Sequence, residues 1–301
     1  MAGSLTPEQV ESYERDGYLF PVGVFDATEA AEFRVDLEAF EDRWRDSPGL
    51  AHPFVQYLRD GMQVVSPAAD RIARHPVVLD VVESVVGPDL MVWNCELLVK
   101  EPHSPKMLTM HQDHRYWGFG SSGDQITAWI ALSEVTDANG AMHFVRGSHL
   151  LGDVDHHDTF GADNILSRGQ EITVGHDAED EVVVALHPGE MSLHHGLMFH
   201  GSGPNRSDVR RMGVAIRYVT PSVRQEVGGV DYATPVRGDC SGAEFLPLPV
   251  PTSDFDPDTL PFHERMLVVH DNTLGAGAEQ PMAYDGIRPV RPEGPGRVAT
   301  R

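Results

Sequence analysis

The chain has 301 residues, 41% of them hydrophobic, enough for one large domain with a full core. Its formal charge of −23, from 23 Lys+Arg against 46 Asp+Glu, argues against nucleic acid or an anionic membrane as partner, since either would repel it. Two cysteines, Cys95 and Cys240, exclude a disulfide framework; with no signal-like N-terminal core and no apolar run of about 18 residues, the expected compartment is the cytoplasm.

Thr6-Pro7-Glu8-Gln9 reads as a capping box that starts a helix ending near Gly17. Asp26-Ala27-Thr28-Glu29 opens a second, in which Phe33, Leu37, Phe40 and Trp44 share a face until Ser47-Pro48-Gly49. A third is expected from Pro76 to Val86, closed by Gly87-Pro88. Residues 1–88 thus form a helical collar. From Asp89 the pattern changes to short apolar runs at 90–99, 107–113, 125–133, 141–146, 181–187, 190–200 and 211–219, the spacing of an all-β sandwich or barrel. Residues 151–180 interrupt the series as one long polar insert, of the kind that serves as a lid over a site. After Pro221 come ten of the 22 prolines, so 223–301 is expected to wrap the core as an irregular segment of the same single domain.

Around residues 194–218 the chain brings His200, at the end of an apolar run, close to Arg211, which opens another after a Gly/Ser/Pro/Asn turn. If both runs are strands, Arg211 points into the cavity of His200 from the neighbouring strand, and a metal ligand beside a fixed cation suits a chelating dicarboxylate. A His-x-Asp pair on one strand face would complete a metal site. Two exist: His156/Asp158 in the polar insert, with no strand to aim it, and His111/Asp113, which ends an apolar run 89 residues before His200 (200 − 111). The second is the expected pair, since two histidines and one carboxylate make the open face that suits non-haem Fe(II).

The segments HQDHRYWGF (111–119), ITAWIALSEV (126–135), NGAMHFVRGSH (139–149) and GEMSLHHGLMFHGSGPNRSDVRRMG (189–213) resemble the phytanoyl-CoA dioxygenase family of Fe(II)/2-oxoglutarate oxygenases, over about residues 5–240. The resemblance implies a mainly β fold with a double-stranded β-helix core, jelly-roll and cupin-like, behind the helical collar. It implies His111, Asp113 and His200 as catalytic iron ligands. It also implies Arg211 as the residue that pairs with the far carboxylate of 2-oxoglutarate, assisted by Ser202, with Trp129 beside the cosubstrate and Thr127 on the same face. Dioxygen would take the remaining iron position, and the products would be succinate, CO2 and a hydroxylated small molecule.

Residue types fit these roles. Arginine's planar fork binds a carboxylate through two hydrogen bonds. In 211–219, Arg211, Gly213, Ala215 and Arg217 share one face, and the small residues leave room for a ligand. Tyr116, Trp117 and Phe119, directly after the metal pair, are expected to line a substrate pocket. His143, His149, His194 and His195 are expected to be structural, Arg210 to face solvent, and Lys100 to snorkel from a strand end. A desaturase, cyclase or epimerase would use the same residues. A zinc hydrolase would not need Arg211 and Ser202 at the site, and a non-catalytic metal-binding or ligand-sensing barrel is distinguished by whether 2-oxoglutarate turns over at all. Phytanoyl-CoA itself would call for a cationic surface that two lysines in an acidic chain do not supply, so a natural-product or amino-acid-like intermediate is the expected substrate.

Overall fold

A computed structural model describes residues 3–120, 124–280, 282 and 283. Its helices are α1 (Pro7–Asp16), α2 (Ala27–Trp44), α3 (Phe54–Arg59), α4 (Met62–Val65), α5 (Pro67–Ala73), α6 (Pro76–Val86), α7 (His114–Trp117) and α8 (Leu260–Leu274). Its strands are β1 (Tyr18–Gly23), β2 (Leu90–Lys100), β3 (Leu108–His111), β4 (Gln125–Ala131), β5 (Met142–Val145), β6 (His156–Asp158), β7 (Gln170–Ile172), β8 (Glu181–Val184), β9 (Glu190–His195), β10 (His200–Ser202), β11 (Arg211–Val219), β12 (Tyr232–Arg237) and β13 (Leu246–Pro247).

Two sheets make a jelly-roll core without closing into a barrel. The larger runs β1-β9-β4-β11-β2-β12-β13 and the smaller β3-β10-β5-β8. Alternation decides the faces of the larger sheet. Ile126, Ala128 and Ile130 of β4, with Met212, Val214 and Ile216 of β11, pack outward against Phe33, Leu37, Ile72, Val78 and Val82 of the helices. Trp129, Ala131 and Ala215 point the other way and meet Met142, Phe144 and Val184 of the smaller sheet. Every residue of β4 is buried because both of its faces are covered. The collar thus backs one sheet and leaves the space between the sheets for a site. Thr6 caps α1 with its side chain, Gln9 reciprocates, and Gly17 closes it at φ 83°.

Three expectations need correction, and one stretch of the collar was not read in detail. The run 190–200 is two strands, β9 in the larger sheet and β10 in the smaller, because the chain turns at Gly196 and changes sheet. Between residues 54 and 73 lie three short helices, the middle one buried on every side, a length and burial that leave no 3.6-residue stripe to read. The insert 151–180 is not a bare loop: β6 and β7 pair in it, so His156 and Asp158 do lie on a strand. The segment 223–301 is not irregular throughout, since β12 extends the larger sheet and α8 buries His263, Met266, Leu267 and His270; Pro261 falls in the first turn of α8, where a missing N–H costs nothing. Residues 284–301 of that expectation lie outside the described residues.

Candidate functional site

The His-x-Asp pair and the distal histidine meet because of strand register. His111 ends β3 and His200 begins β10, and the two are directly opposed partners in the antiparallel ladder, with ring centroids 4.1 Å apart. Asp113 follows at the start of α7 with Oδ1 at 3.4 Å from His111 Nε2 and 3.9 Å from His200 Nε2. One ligand atom from each of the three lies within 4.8 Å of the others, and all three residues are buried. Each histidine is aimed by its own backbone: Nδ1 of His111 donates to Thr109 O at 2.8 Å, and Nδ1 of His200 to Met198 O at 3.0 Å, which leaves both Nε2 lone pairs for a metal. Burial opposes the charge on Asp113, yet Arg217 and the surrounding histidines hold its carboxyl well below the usual range, so it is ionised. Burial, with His111 adding to it, holds His200 well below its ordinary value and therefore neutral. Two neutral imidazoles and one carboxylate are the donor set that fits Fe(II).

Gln112, between His111 and Asp113, locks the motif in place. Its side chain donates to Gly152 O and Leu197 O and accepts from Val154 N, while its own N–H donates to His156 Nε2 at 3.0 Å. His156 is therefore committed to the backbone of the His-x-Asp motif, and Asp158 is committed to Arg168.

At the other end of the space between the sheets, Arg211 of β11 and Lys100 of β2 are opposed partners. Arg211 Nη1 donates to Gly140 O at 2.5 Å and to Ser202 Oγ at 3.3 Å; Lys100 Nζ donates to Ser202 Oγ at 2.5 Å and to Gly203 O. Arg211 is only 2% exposed and Lys100 1%. Among the described residues neither has an acidic partner. Burial pushes Arg211 down to about 10, and burial plus the Arg211 charge pushes Lys100 down to about 6. A buried guanidinium without an anion, with an amine pressed beside it, is costly unless a ligand brings a negative charge. The ring of Trp129 lies 4.9 Å from the Arg211 guanidinium, and a Cβ at Gly213 would come within 2.1 Å of that indole, so only glycine leaves it room. Trp129 Nε1, Thr127 Oγ1 and Arg211 Nε are buried without hydrogen-bond partners, three orphaned groups facing the same cavity.

That cavity, 40 Å³, adjoins a 70 Å³ chamber through the shared residues His111, Asp113, Arg59, Glu96 and Arg217. Tyr116 and Trp117 line the chamber, together with Trp93 and with Leu166, Ser167 and Leu274 from the insert and α8. Phe119 does not: the chain turns at Gly118, φ 72°, and sends it into a packed cluster with Trp93 and Phe245. Arg211 comes from the opposite sheet to His200, not from a neighbouring strand, so the two face each other across the core.

Lys100 does not snorkel, and Arg210 is mostly buried among Glu38, Glu41 and Glu101. Arg217 was missed, although its position on the Arg211 face was the available signal; its Nη1 pairs with Glu96 Oε1 at 2.8 Å beside the metal ligands. His143 and His149 have hydrogen-bond partners on the periphery, and His195 Nδ1 accepts from Leu197 N. His194 instead lines the cavity.

The family model of phytanoyl-CoA dioxygenase (PhyH) matches residues 13–213. The apo structure of a non-heme monooxygenase, ThoJ, is 35% identical, with a TM-score of 0.79 over 89% of this chain and 98% of that one. The epimerase SnoN, solved in complex with Fe3+, alpha ketoglutarate and nogalamycin RO, is 27% identical, with a TM-score of 0.60 over 74% of this chain and 86% of its own. The peroxisomal phytanoyl-CoA dioxygenase of Bos taurus is 26% identical over 238 residues, 71% of this chain and 68% of that protein. With a buried His-Asp-His cluster facing the uncompensated Arg211, the chain belongs to the phytanoyl-CoA dioxygenase family and is a 2-oxoglutarate-dependent oxygenase with Fe(II) as cofactor and 2-oxoglutarate and O2 as cosubstrates.

Proposed function

We propose that His111, Asp113 and His200 hold the Fe(II), that Arg211, Lys100 and Ser202 grip the far carboxylate of 2-oxoglutarate, and that the reaction hydroxylates an unactivated C–H bond of a small molecule. The observation that carries this reading is the buried Arg211 guanidinium without an anion, facing the His-Asp-His cluster across one cavity, with the buried amine of Lys100 behind it. A dicarboxylate supplies the missing charge at one end and reaches the metal ligands with the other. Bound iron supplies the activation of O2, coupled to decarboxylation of 2-oxoglutarate to succinate and CO2, that delivers oxygen to carbon.

The protein's own part is binding and aim. Arg211 offers a planar fork to the carboxylate, Trp129 stacks on that fork and keeps it pointed inward, and the orphaned Trp129 Nε1 and Thr127 Oγ1 are donors for the ligand's oxygens. Tyr116 and Trp117 bound the neighbouring chamber, where the substrate carbon would sit beside the metal ligands with bulk water kept out by Leu166 and Leu274. A natural-product or amino-acid-like intermediate suits a chamber with this much charge in its wall. The same residues would serve desaturation, cyclisation or epimerisation, and product analysis distinguishes these. The reading is tested by incubating the protein with 2-oxoglutarate under air. Succinate should form with Fe(II) and not with Zn(II); failure to bind 2-oxoglutarate at all would leave the zinc hydrolase or a non-catalytic barrel.

A further inference from the structure

His194 lies near the centre, and packing does not explain why it is a histidine. On β9, Met191 and Leu193 point outward into the core beneath the helices, so Ser192 and His194 point between the sheets. Register sets His194 beside Thr127 of β4, which is itself paired with Arg217 of β11. The ring is 2% exposed, 5.0 Å from that of Phe144 and 4.8 Å from that of His200. Neither nitrogen has a hydrogen-bond partner. A phenylalanine would fill this place against Phe144 without burying two unpartnered polar atoms.

The nearest acid is Asp113, whose two oxygens face different ways. Oδ1 looks toward Nε2 of His111 and His200, while Oδ2 lies 3.9 Å from His194 Nε2 and 3.8 Å from Arg217 Nη2. Arg217 is engaged by Glu96 at 2.8 Å, and its charge would repel a metal cation sharing the carboxylate. A neutral imidazole N–H can orient the same oxygen without that repulsion.

We propose that His194 is a positioning residue: it donates, directly or through one water, to Oδ2 of Asp113 and so presents Oδ1 alone to the metal beside His111 and His200. This rests on the assignment of those three residues as ligands. Anaerobic Fe(II) titration tests it. His194→Phe keeps the packing and removes the donor, and should weaken Fe(II) roughly 10- to 100-fold, the usual cost of losing such a partner. His194→Gln, which retains an amide donor, should recover most of the loss. Glutarate, which lacks the chelating keto acid and is gripped at the Arg211 end, should bind all three proteins equally, a result that a general disturbance of the core would not give. Should His194→Phe fail to fold, His194→Leu serves as the variant without a donor. Unchanged Fe(II) affinity in the donor-less variant, or a His194→Gln protein as weak as it, overturns the role. His200→Ala separates the two levels: if it retains Fe(II), the ligand assignment falls, whereas loss of metal in His200→Ala with none in His194→Phe sinks His194 alone.

Discussion

The two ends of the cavity are built on opposite principles. At the metal end, the aiming hydrogen bonds are already made: Nδ1 of His111 and of His200 is held by a carbonyl two residues back, and Gln112 closes the motif with four hydrogen bonds. At the cation end Lys100 and Arg211 share Ser202 and backbone carbonyls but have no anion, and Arg211 Nε, Trp129 Nε1 and Thr127 Oγ1 donate to nothing. One end has its two opposed histidines already aimed; the other takes its final form only with a ligand. The metal end should therefore keep its shape whether or not cosubstrate is present, and the cation end should show its chemistry only when an anion arrives.

The largest effect that would break this comparison is loss of the metal. His200→Ala removes one of three ligands from a buried cluster and should abolish Fe(II) binding, leaving no stoichiometric endpoint in an anaerobic titration. Next is Arg211→Met. Losing one partner of a buried, charge-assisted pair costs about 2–5 kcal/mol, so 2-oxoglutarate should bind roughly 30- to 4000-fold more weakly by calorimetry. Fe(II) affinity without cosubstrate should be unchanged, because Arg211 shares no hydrogen bond with the ligands. Equal loss of both affinities would mean that the two ends are not separate.

Lys100 gives a smaller effect with a definite sign. In the ligand-free protein its pKa is about 6, lowered first by burial and then by Arg211, so near neutral pH the amine is mostly uncharged. A bound carboxylate favours the ammonium form and raises that pKa, so 2-oxoglutarate binding takes up a proton. Affinity is then highest below about pH 6 and falls as pH rises toward the pKa of the complex, by at most about tenfold per unit. Calorimetry in buffers of different ionisation heat should register the uptake. Lys100→Met should abolish both the uptake and the slope, and a pH-independent affinity in the wild-type chain would remove Lys100 from the cosubstrate site.

What was legible in the sequence follows the same division. The His-x-Asp motif was visible in the sequence, but only His111 lies on a strand and Asp113 sits at the start of α7, so strand alternation alone does not place the pair; the face of Arg211 could be read because the alternation Arg211, Gly213, Ala215 is local. Lys100 was misread because the default for a strand-end lysine is a wet ammonium, and only the pairing of β2 with β11 puts it under cover. His194 and Arg217 needed the strand register to show that they share a row. Helices α3 to α5 are too short for a periodic signal, and α8 is hidden in a proline-rich stretch although its own proline sits where helices tolerate one. Sequence order could not reveal that β10 and β11, eight residues apart, belong to different sheets (211 − 202 − 1).

The mildest prediction concerns the wall of the chamber beside the metal end. Arg168, in the insert, joins three segments: its Nε and Nη2 donate to Asp158 Oδ2 at 2.8 and 2.5 Å, and its Nη1 to the carbonyls of Leu274 and Ala276, at 3.2 and 3.0 Å, just where α8 ends. The guanidinium also lies 5.4 Å from the ring of Tyr116. These bonds make the insert a clasped wall more than the free lid its polar sequence suggests. Arg168→Ala would strand Asp158 and two helix-end carbonyls, a local penalty of about 1–3 kcal/mol. Gln112 and the bond from Thr109 Oγ1 to Gln170 O still fasten the insert to β3, so the loss should stay local. Amide exchange in β6 and β7 should quicken roughly five- to 150-fold while the strands of the larger sheet keep their protection. Fe(II) affinity should hold, since His111 and His200 are set by the pairing of β3 with β10. Unchanged exchange in β6 and β7 would mean that the clasp holds nothing and that the insert is fixed by its bonds to Gln112 and Thr109; faster exchange throughout the larger sheet would mean that the wall is part of the core.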